Sequence, residues 1–182
     1  KAIQTIALEI TPTTVQLLRD LDDRQVEELN EQFERDRQER EDKYLKPPLD
    51  QQIGKRTDRM QERVEQWLGN VTAAQRQRIH EWAEALNKQN QLWLDNRAQW
   101  QRSMVDAVRN RDQANFDERI ARLLQDREVY WTAPYRAAFP AVEQATIDLI
   151  VDLYDTADAT QRRHINERLQ DMRHDLGSLD CL

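Results

Sequence analysis

Residues 73–109 of the chain read AAQRQRIHEWAEALNKQNQLWLDNRAQWQRSMVDAVR. Apolar side chains recur in this stretch at intervals of three, four or seven residues, at Ile79, Trp82, Leu86, Trp93, Trp100, Met104 and Val108. Such intervals place side chains on one face of an α-helix, and neither glycine nor proline interrupts them. The stretch therefore predicts one continuous amphipathic helix, about 55 Å long at 1.5 Å per residue.

The rest of the chain has the same helical character. Its 182 residues include only 3 glycines and 5 prolines, so residues that favour turns are scarce. Thr11 and Pro12 are typical of an N-cap and a first helical position, and Gly177 is typical of a helix end. We expect an all-α fold: one helical domain over residues 1–182, an elongated bundle of six to eight helices, with the long Trp-bearing helix at 73–109.

Charge and hydropathy exclude two classes of partner. The net charge is −7, and the arginines alternate with acidic residues, which argues against nucleic acid. No apolar run reaches the roughly 18 residues that a membrane span needs. The run ERDRQEREDK (34–43) predicts a solvated helix with i,i+4 ion pairs, which are Glu31–Arg35, Asp36–Arg40 and Glu39–Lys43.

A start signal for a helix occurs three times. Each copy has Asp or Thr followed three residues later by Gln, the pattern of a capping box, in which each side chain bonds to the other residue's backbone N–H. The three pairs are Asp22 and Gln25, Thr72 and Gln75, and Asp158 and Gln161. This structural role accounts for the pattern completely. The copy at 71–75 also has a weaker likeness to the Leu-Thr-x-x-Gln motif of the Spy/CpxP family of periplasmic chaperones.

Residues from about 8 to 182 resemble an uncharacterised family of helical lipoproteins of Gram-negative bacteria. The segments that carry the resemblance, in order, are ITPTTVQLLRDLDDRQVEEL (10–29), YLKPPLDQQ (44–52), RMQERVEQWLG (59–69), AAQRQRIHEWAEAL (73–86), NQLWLDNRAQWQ (90–101), LLQDRE (123–128) and YRAAF (135–139). The resemblance implies a periplasmic protein held by a lipid anchor, in the outer membrane. It also implies an N-terminal portion before Lys1 with a signal peptide and a lipidated cysteine. It implies no activity.

Residues suited to catalysis or metal binding are scattered. His80-Glu81 begins like the zinc-protease motif His-Glu-x-x-His, but position 84 is glutamate. His164 and His174 lie among arginines, and the lone cysteine, Cys181, stands near the end of the chain. We expect no catalytic residue, no cofactor and no metal site.

Aromatic and arginine residues concentrate in two places. Asn90, Trp93, Arg97 and Trp100 lie near one side of the predicted long helix, where Arg97 could stack on either indole. Tyr130, Trp131 and Tyr135 form a second aromatic group at a helix junction. Tryptophan at helical spacing often fills a bundle core, with arginine extending to solvent. The same residue types are also typical of binding surfaces. Both interpretations stay open.

Three functions follow from these observations. The first is a non-enzymatic, membrane-tethered periplasmic protein that binds another protein or an envelope component and has chaperone-like character. The second is a glycan or peptidoglycan binder that uses the Trp93, Arg97 and Trp100 segment. The third is an enzyme whose site is completed by the N-terminal portion that the resemblance implies. None of them involves nucleic acid, and the lipid anchor is the only expected link to a membrane.

We expect Thr72→Ala to lower the free energy of unfolding by roughly 1 kcal/mol, because a first-turn N–H group loses its acceptor. Partner binding should stay unchanged. Chemical denaturation of the variant tests the first statement, and a binding assay tests the second. An unchanged denaturation midpoint together with lost binding would reverse the structural interpretation of this motif.

Overall fold

The computed structural model describes residues 2–179, without the side chains of residues 2, 3, 176, 178 and 179. Cys181 lies outside the described residues. The described chain is all-α and contains no strand, which confirms the predicted fold class. Eight α-helices and one 3-10 helix (Arg127–Tyr130) are present in this range: α1 (Ala2–Arg19), α2 (Asp23–Tyr44), α3 (Leu49–Leu68), α4 (Ala73–Ala85), α5 (Gln89–Arg109), α6 (Phe116–Gln125), α7 (Ala133–Asp155) and α8 (Ala159–Leu179).

Contacts within the chain form two compact units. The first comprises residues 2–47 and 88–139, and the second comprises residues 48–87 and 140–179. Each unit is therefore built from two separate segments of sequence. The expectation of a single domain over residues 1–182 stays a prediction.

The core of the first unit lies where α2 and α6 pack on α5 and where α1 packs on α6. Its buried apolar side chains are Leu18, Val26, Met104, Ala107, Val108, Phe116, Ile120 and Leu123. Phe116, Ile120 and Leu123 follow a helical spacing along α6, and each is almost fully buried. Burial of one such large side chain contributes roughly 1.5–3 kcal/mol, so the short helix α6 is held by its apolar face.

The core of the second unit is formed by α3, α4, α8 and the C-terminal part of α7. Its buried residues are Leu68, Val71, Ile79, Trp82, Ala83, Leu86, Leu149, Leu153 and Ala157. The indole N–H of Trp82 donates to the hydroxyl of Thr146, 3.3 Å away, so this large side chain is buried with its polar atom satisfied.

All three predicted capping boxes are formed. In each, the side-chain oxygen of the cap accepts from the backbone N–H of the glutamine, and the glutamine oxygen accepts from the N–H of the cap. These two distances are 2.8 and 2.9 Å for Asp22 and Gln25, 3.2 and 3.0 Å for Thr72 and Gln75, and 2.9 and 3.1 Å for Asp158 and Gln161.

Two of these boxes also bind each other. Gln75 and Gln161 are buried, and each amide donates to the other's carbonyl oxygen, at 3.1 and 2.9 Å. Gln161 donates further to the carbonyl of Asn70 at 2.7 Å. The caps therefore join the N-terminus of α4 to that of α8. Repetition of the motif in the sequence did not reveal this tertiary contact.

The prediction of one continuous helix over 73–109 was wrong. Helix α4 ends at Ala85 and α5 begins at Gln89, and Asn87 between them has a φ of 38°. The apolar stripe does continue across the break, but its side chains pack into two different hydrophobic cores. Its first part, including Ile79 and Trp82, belongs to the second unit, whereas Met104 belongs to the first unit.

Arg56 of α3 gives the physical reason for this break. Its guanidinium is buried and donates to the carbonyls of Ala83 and Asn87, at 2.6 and 3.1 Å. In an uninterrupted helix these two carbonyls would accept from N–H groups four residues further on, those of Asn87 and Gln91. Here both N–H groups bond to carbonyls only three residues back. Arg56 therefore donates to both carbonyls in place of the backbone N–H groups that no longer do so.

The predicted helix start at Thr11 and Pro12 was also wrong, because α1 continues through both residues. Thr11 is buried, and its hydroxyl donates to the carbonyl of Ala7 at 2.6 Å and accepts from Gln125 of α6 at 3.0 Å. It acts inside the helix rather than as its cap. Similarly, α8 runs through Gly177 to Leu179. Among the described glycines only Gly69, at the end of α3, has the positive φ that helix-ending glycines usually adopt.

We expect Arg56→Ala to lower the free energy of unfolding by about 2–4 kcal/mol, because the carbonyls of Ala83, which is buried, and of Asn87 lose a charged donor. Urea denaturation followed by circular dichroism measures this change. Lys55→Ala is the matched control: Lys55 is the exposed neighbour of Arg56 on the same helix, and its loss should change stability by less than about 0.5 kcal/mol. Equal effects of the two substitutions would contradict the role given to Arg56.

Candidate binding cavity

A half-open cavity of about 390 Å³ lies within the first unit, between α5 and the segment from the 3-10 helix to the start of α7. Its lining is rich in aromatic and arginine side chains: Trp93, Asn96, Arg97, Trp100, Arg127, Tyr130, Trp131 and Tyr135. Six of the seven residues singled out in the sequence thus come together here, although they belong to two distant segments. We call this site the aromatic cavity.

The two tryptophans of α5 are half-buried and held in place by neighbouring groups. The indole N–H of Trp100 donates to the carbonyl of Leu123 at 2.8 Å, and its ring makes an edge-type contact with that of Phe33, with centroids 6.3 Å apart. The rings of Trp93 and Tyr44 make a T-shaped contact, with centroids 5.7 Å apart. These rings therefore pack on the core and also line the cavity, and their use as a binding surface stays a prediction.

The opposite wall is an aromatic cluster at the start of α7. The ring centroid of Trp131 lies 5.3 Å from that of Tyr135 and 4.6 Å from that of Phe139. Burial raises the pKa of the Tyr135 hydroxyl above its ordinary value, so this group remains a hydrogen-bond donor at neutral pH. The side-chain oxygen of Asn96 accepts from the N–H of Thr132 at 2.9 Å and thereby joins this wall to α5.

Asp36 on α2 orients Arg97, one of the two arginines that line the cavity. Its carboxylate accepts from Arg97 at 3.0 and 3.1 Å, from Arg40 at 2.7 Å and from Gln101 at 3.1 Å. Burial alone would raise the pKa of Asp36, but hydrogen bonds from Arg40 and Arg97 outweigh it, and the pKa lies below its ordinary value. Asp36 stands inside the charged run that the sequence analysis interpreted as a solvated helix, so its role was missed.

The ion pairs of that run follow the prediction in part. Arg35 pairs with Glu31 and Arg40 pairs with Asp36, as expected. The expected pair between Glu39 and Lys43 is not among the ion pairs of the described residues, and the ammonium of Lys43 lies over the ring of Tyr44, 5.4 Å from its centroid. The cation–π contact with the neighbouring ring replaces the ion pair.

The cations near the tryptophans differ from those expected. Arg97, which the sequence suggested would stack on an indole, instead pairs with Asp36. The guanidinium of Arg40 lies 5.8 Å from the ring of Trp93, and that of Arg127 lies 5.8 Å from the ring of Trp100. Arg127 is exposed and makes no ion pair with the described residues. No carboxylate lines the cavity, so its one unneutralised charge is positive.

Asn90 does not join the cavity lining. Its side-chain amide donates to the carbonyl of Tyr44 at 3.0 Å and thus caps the end of α2. Two lining residues were missed in the sequence. Asn96 carried a signal, since it lies three residues after Trp93 and four before Trp100, on the same helix face. Arg127 carried none, because only the tertiary fold brings the 3-10 helix to α5.

Outside the aromatic cavity, the described residues hold no group of metal-binding side chains. No three His, Cys, Asp or Glu side chains in this part of the chain converge as a metal ion requires. The imidazole Nδ1 of His80 lies 3.3 Å from the hydroxyl of Thr57, and its Nε2 lies 3.5 Å from the carboxylate of Glu84. Within residues 2–179 no helix has the length and apolarity to cross a bilayer. The expected absence of a metal site and a cofactor stays a prediction.

We expect Asp36→Asn to lower the free energy of unfolding by about 1–2 kcal/mol near neutral pH, because Arg40 and Arg97 lose a charged partner. The pKa of Asp36 in the folded state lies below its unfolded value of about 3.9. The stabilisation is therefore complete above that value and is lost as the pH falls through the folded-state pKa. Urea denaturation at a series of pH values should show wild type and variant converging in acid.

Glu39→Gln is the control for this experiment, because Glu39 is an exposed carboxylate on the same helix. It should behave like wild type at every pH. A stability difference for Asp36→Asn that persisted at the most acidic pH would contradict the assignment to the ionised carboxylate.

The chain matches the model of a known protein family. The model of a family described as "Family of unknown function (DUF6279)" matches residues 1–136. No curated protein and no solved structure matches the chain. The family model includes every residue that lines the aromatic cavity. Because 136 of the 182 residues are matched, the chain belongs to this family of unknown function.

Proposed function

We propose that this protein is a non-enzymatic binding protein that takes part of another protein or of an envelope component into the aromatic cavity. The observation that carries the proposal is the composition of this cavity, in which five aromatic rings surround two arginines and one asparagine, without a carboxylate. Ligand sites typically combine such apolar walls with a few placed polar groups. The lining offers stacking surfaces and hydrogen-bond donors. It offers no histidine or carboxylate for general acid or base catalysis, which supports binding over catalysis.

Location in the periplasm, through a lipid anchor in the outer membrane, is part of the proposal. It rests on the resemblance of the chain to lipoproteins of Gram-negative bacteria. Metabolic labelling of the natural full-length protein with a radioactive fatty acid, followed by membrane fractionation, tests it. Label in the protein and recovery with the outer membrane are expected. An unlabelled protein in the cytosolic fraction would contradict this part of the proposal alone.

The free cation of the cavity indicates what kind of group the ligand presents. Arg127 is exposed beside the ring of Trp100 and makes no ion pair with the described residues, so its guanidinium can donate to a carboxylate of the ligand. Trp100 and Trp131 can then stack against a flat or apolar face of the same ligand. A peptide segment with an acidic side chain next to an aromatic or proline residue has both features, which favours a protein ligand.

A glycan ligand is the second candidate, and the pair of half-buried tryptophans favours it. Sugar rings have an apolar face that can lie on an indole, and their hydroxyls can bond to Asn96 and Tyr135. Peptidoglycan fragments also carry carboxylates that would meet Arg127. Chaperone-like binding of unfolded proteins would use the same rings with less selectivity for charge. Crosslinking and titration distinguish between these candidate ligands.

Site-specific photo-crosslinking in cells tests the proposal directly. We expect a benzophenone amino acid in place of Tyr130, which lines the cavity, to capture a defined partner in the full-length protein. The matched control is the same replacement of the adjacent Val129, which is 63% exposed and is not part of the lining. It should capture little. Equal yields of the same adduct from both positions would contradict a ligand site in the cavity.

Isothermal titration with a disaccharide–peptide fragment of peptidoglycan tests the second candidate. If this fragment is the ligand, Arg127→Ala should weaken its binding about tenfold, because one charge-assisted contact is lost. Arg24→Ala is the control, since Arg24 is exposed on α2, lies outside the cavity lining and pairs with Glu28 next to it on that helix. If the fragment gives no heat of binding and Tyr130 crosslinks to a protein, the glycan candidate is rejected and the protein ligand is retained.

A further inference from the structure

A second concave surface lies entirely within the second unit and has a different chemistry. It is an apolar groove of about 370 Å³ between α3, α7 and α8. Its walls include Met60, Val64 and Trp67 of α3, Ile150 and Tyr154 of α7, and Ile165 of α8. On α3 these residues are four and three positions apart, so they form one helix face. Arg63 is the only charged residue in the lining.

The apolar surface extends beyond the groove along α7 and α8. Ile147, Ile150, Val151 and Tyr154 follow the i, i+3, i+4, i+7 pattern and are 48%, 60%, 49% and 50% exposed. On α8, Leu169 and Met172 are 50% and 45% exposed and share a face with Ile165. A surface of this kind, with several large apolar side chains next to a groove, is typical of a protein interface. It is longer than the groove, which favours a helix as the occupant over a small molecule.

The charged residues beside the two stripes differ: those beside the stripe of α7 are acidic, whereas those beside the stripe of α8 are Arg168 and Arg173, with Asp175 as an acidic neighbour three residues after Met172. Glu143 lies four residues before Ile147, and Asp155 lies four residues after Val151, so both flank the stripe of α7. Between Arg136 and Arg162 the chain contains five acidic residues and no basic one. On α8, Arg168 lies three residues after Ile165, and Arg173 lies four residues after Leu169. Both arginines are exposed and make no ion pair with the described residues.

We infer that this face binds the same face of a second copy of the chain. The stripe of α7 from one copy would lie in the groove of the other, and Arg168 and Arg173 of one copy would meet Glu143 and Asp155 of the other. The inference rests on self-complementarity: a single surface carries both the ridge and the groove, and both the acidic and the basic flank. A two-fold interface requires this property, because each contact occurs twice. A helix of an unrelated protein would not require it.

Sedimentation equilibrium of the 182-residue chain over a wide range of concentrations tests the inference. We expect a reversible monomer–dimer equilibrium. Ile150→Lys should weaken the dimer at least about tenfold, because a charge would be buried at the centre of the interface. Leu17→Lys is the matched control, since Leu17 is also an apolar helix residue and is equally exposed, at 60%, but lies in the first unit. It should leave the dimerisation constant unchanged.

Charge reversal tests the pairing of the flanks. Arg168→Glu and Glu143→Arg should each weaken the dimer, and the double variant should recover much of the loss, because it restores opposite charges across the interface. Circular dichroism of every variant checks that the helices are retained. A chain that stays monomeric at all concentrations overturns the inference, as does a dimer that Ile150→Lys weakens no more than Leu17→Lys. A double variant no better than its single variants overturns the pairing. The aromatic cavity is not involved, so these outcomes are independent of the proposed function.

Discussion

The guanidinium of Arg56 binds two backbone carbonyls, those of Ala83 and Asn87, that an uninterrupted helix would have used for its own hydrogen bonds. A buried carbonyl that loses its donor is costly, and Ala83 is fully buried, so the donors that the side chain of Arg56 supplies from α3 stabilise the end of the helix at Ala85. The continuous apolar stripe of residues 73–109 is thereby divided between two cores. Helix α4 packs on α3 in the second unit, while α5 packs on α2 and α6 in the first unit.

A second polar interaction decides the chemistry of the aromatic cavity. Asp36 neutralises Arg97 and Arg40, and these arginines would otherwise add positive charge beside the tryptophans. Arg127 remains as the cation that a ligand can reach. The charged groups of the lining are therefore one paired and one unpaired arginine, in a chain whose net charge is −7. The same Asp36 ties α2 to α5, so the fold and the site share this interaction.

The two concave surfaces suit different kinds of ligand. The aromatic cavity has hydrogen-bond donors and a free cation, and the groove between α3, α7 and α8 is almost entirely apolar. Polar groups of that kind select a ligand by hydrogen bonding, whereas an apolar groove with charged flanks selects an amphipathic helix by shape and by the sign of charge. A binding protein that also self-associates would use both surfaces, and each can be altered without changing the other.

Local rules of the sequence determined the fold class, most of the helices and all three capping boxes, because helical spacing and caps depend on residues within four positions of one another. They also pointed to two groups of aromatic and polar residues, and six of these seven residues line one cavity. The break at Asn87, the charge of the cavity and the pairing of Gln75 with Gln161 were decided only by the tertiary structure. In each case the partner is distant in sequence: Arg56 for the break, Arg127 for the charge, and a cap 86 residues away for the glutamine pair. No periodicity along the chain encodes such partners, because they meet only when separate helices pack.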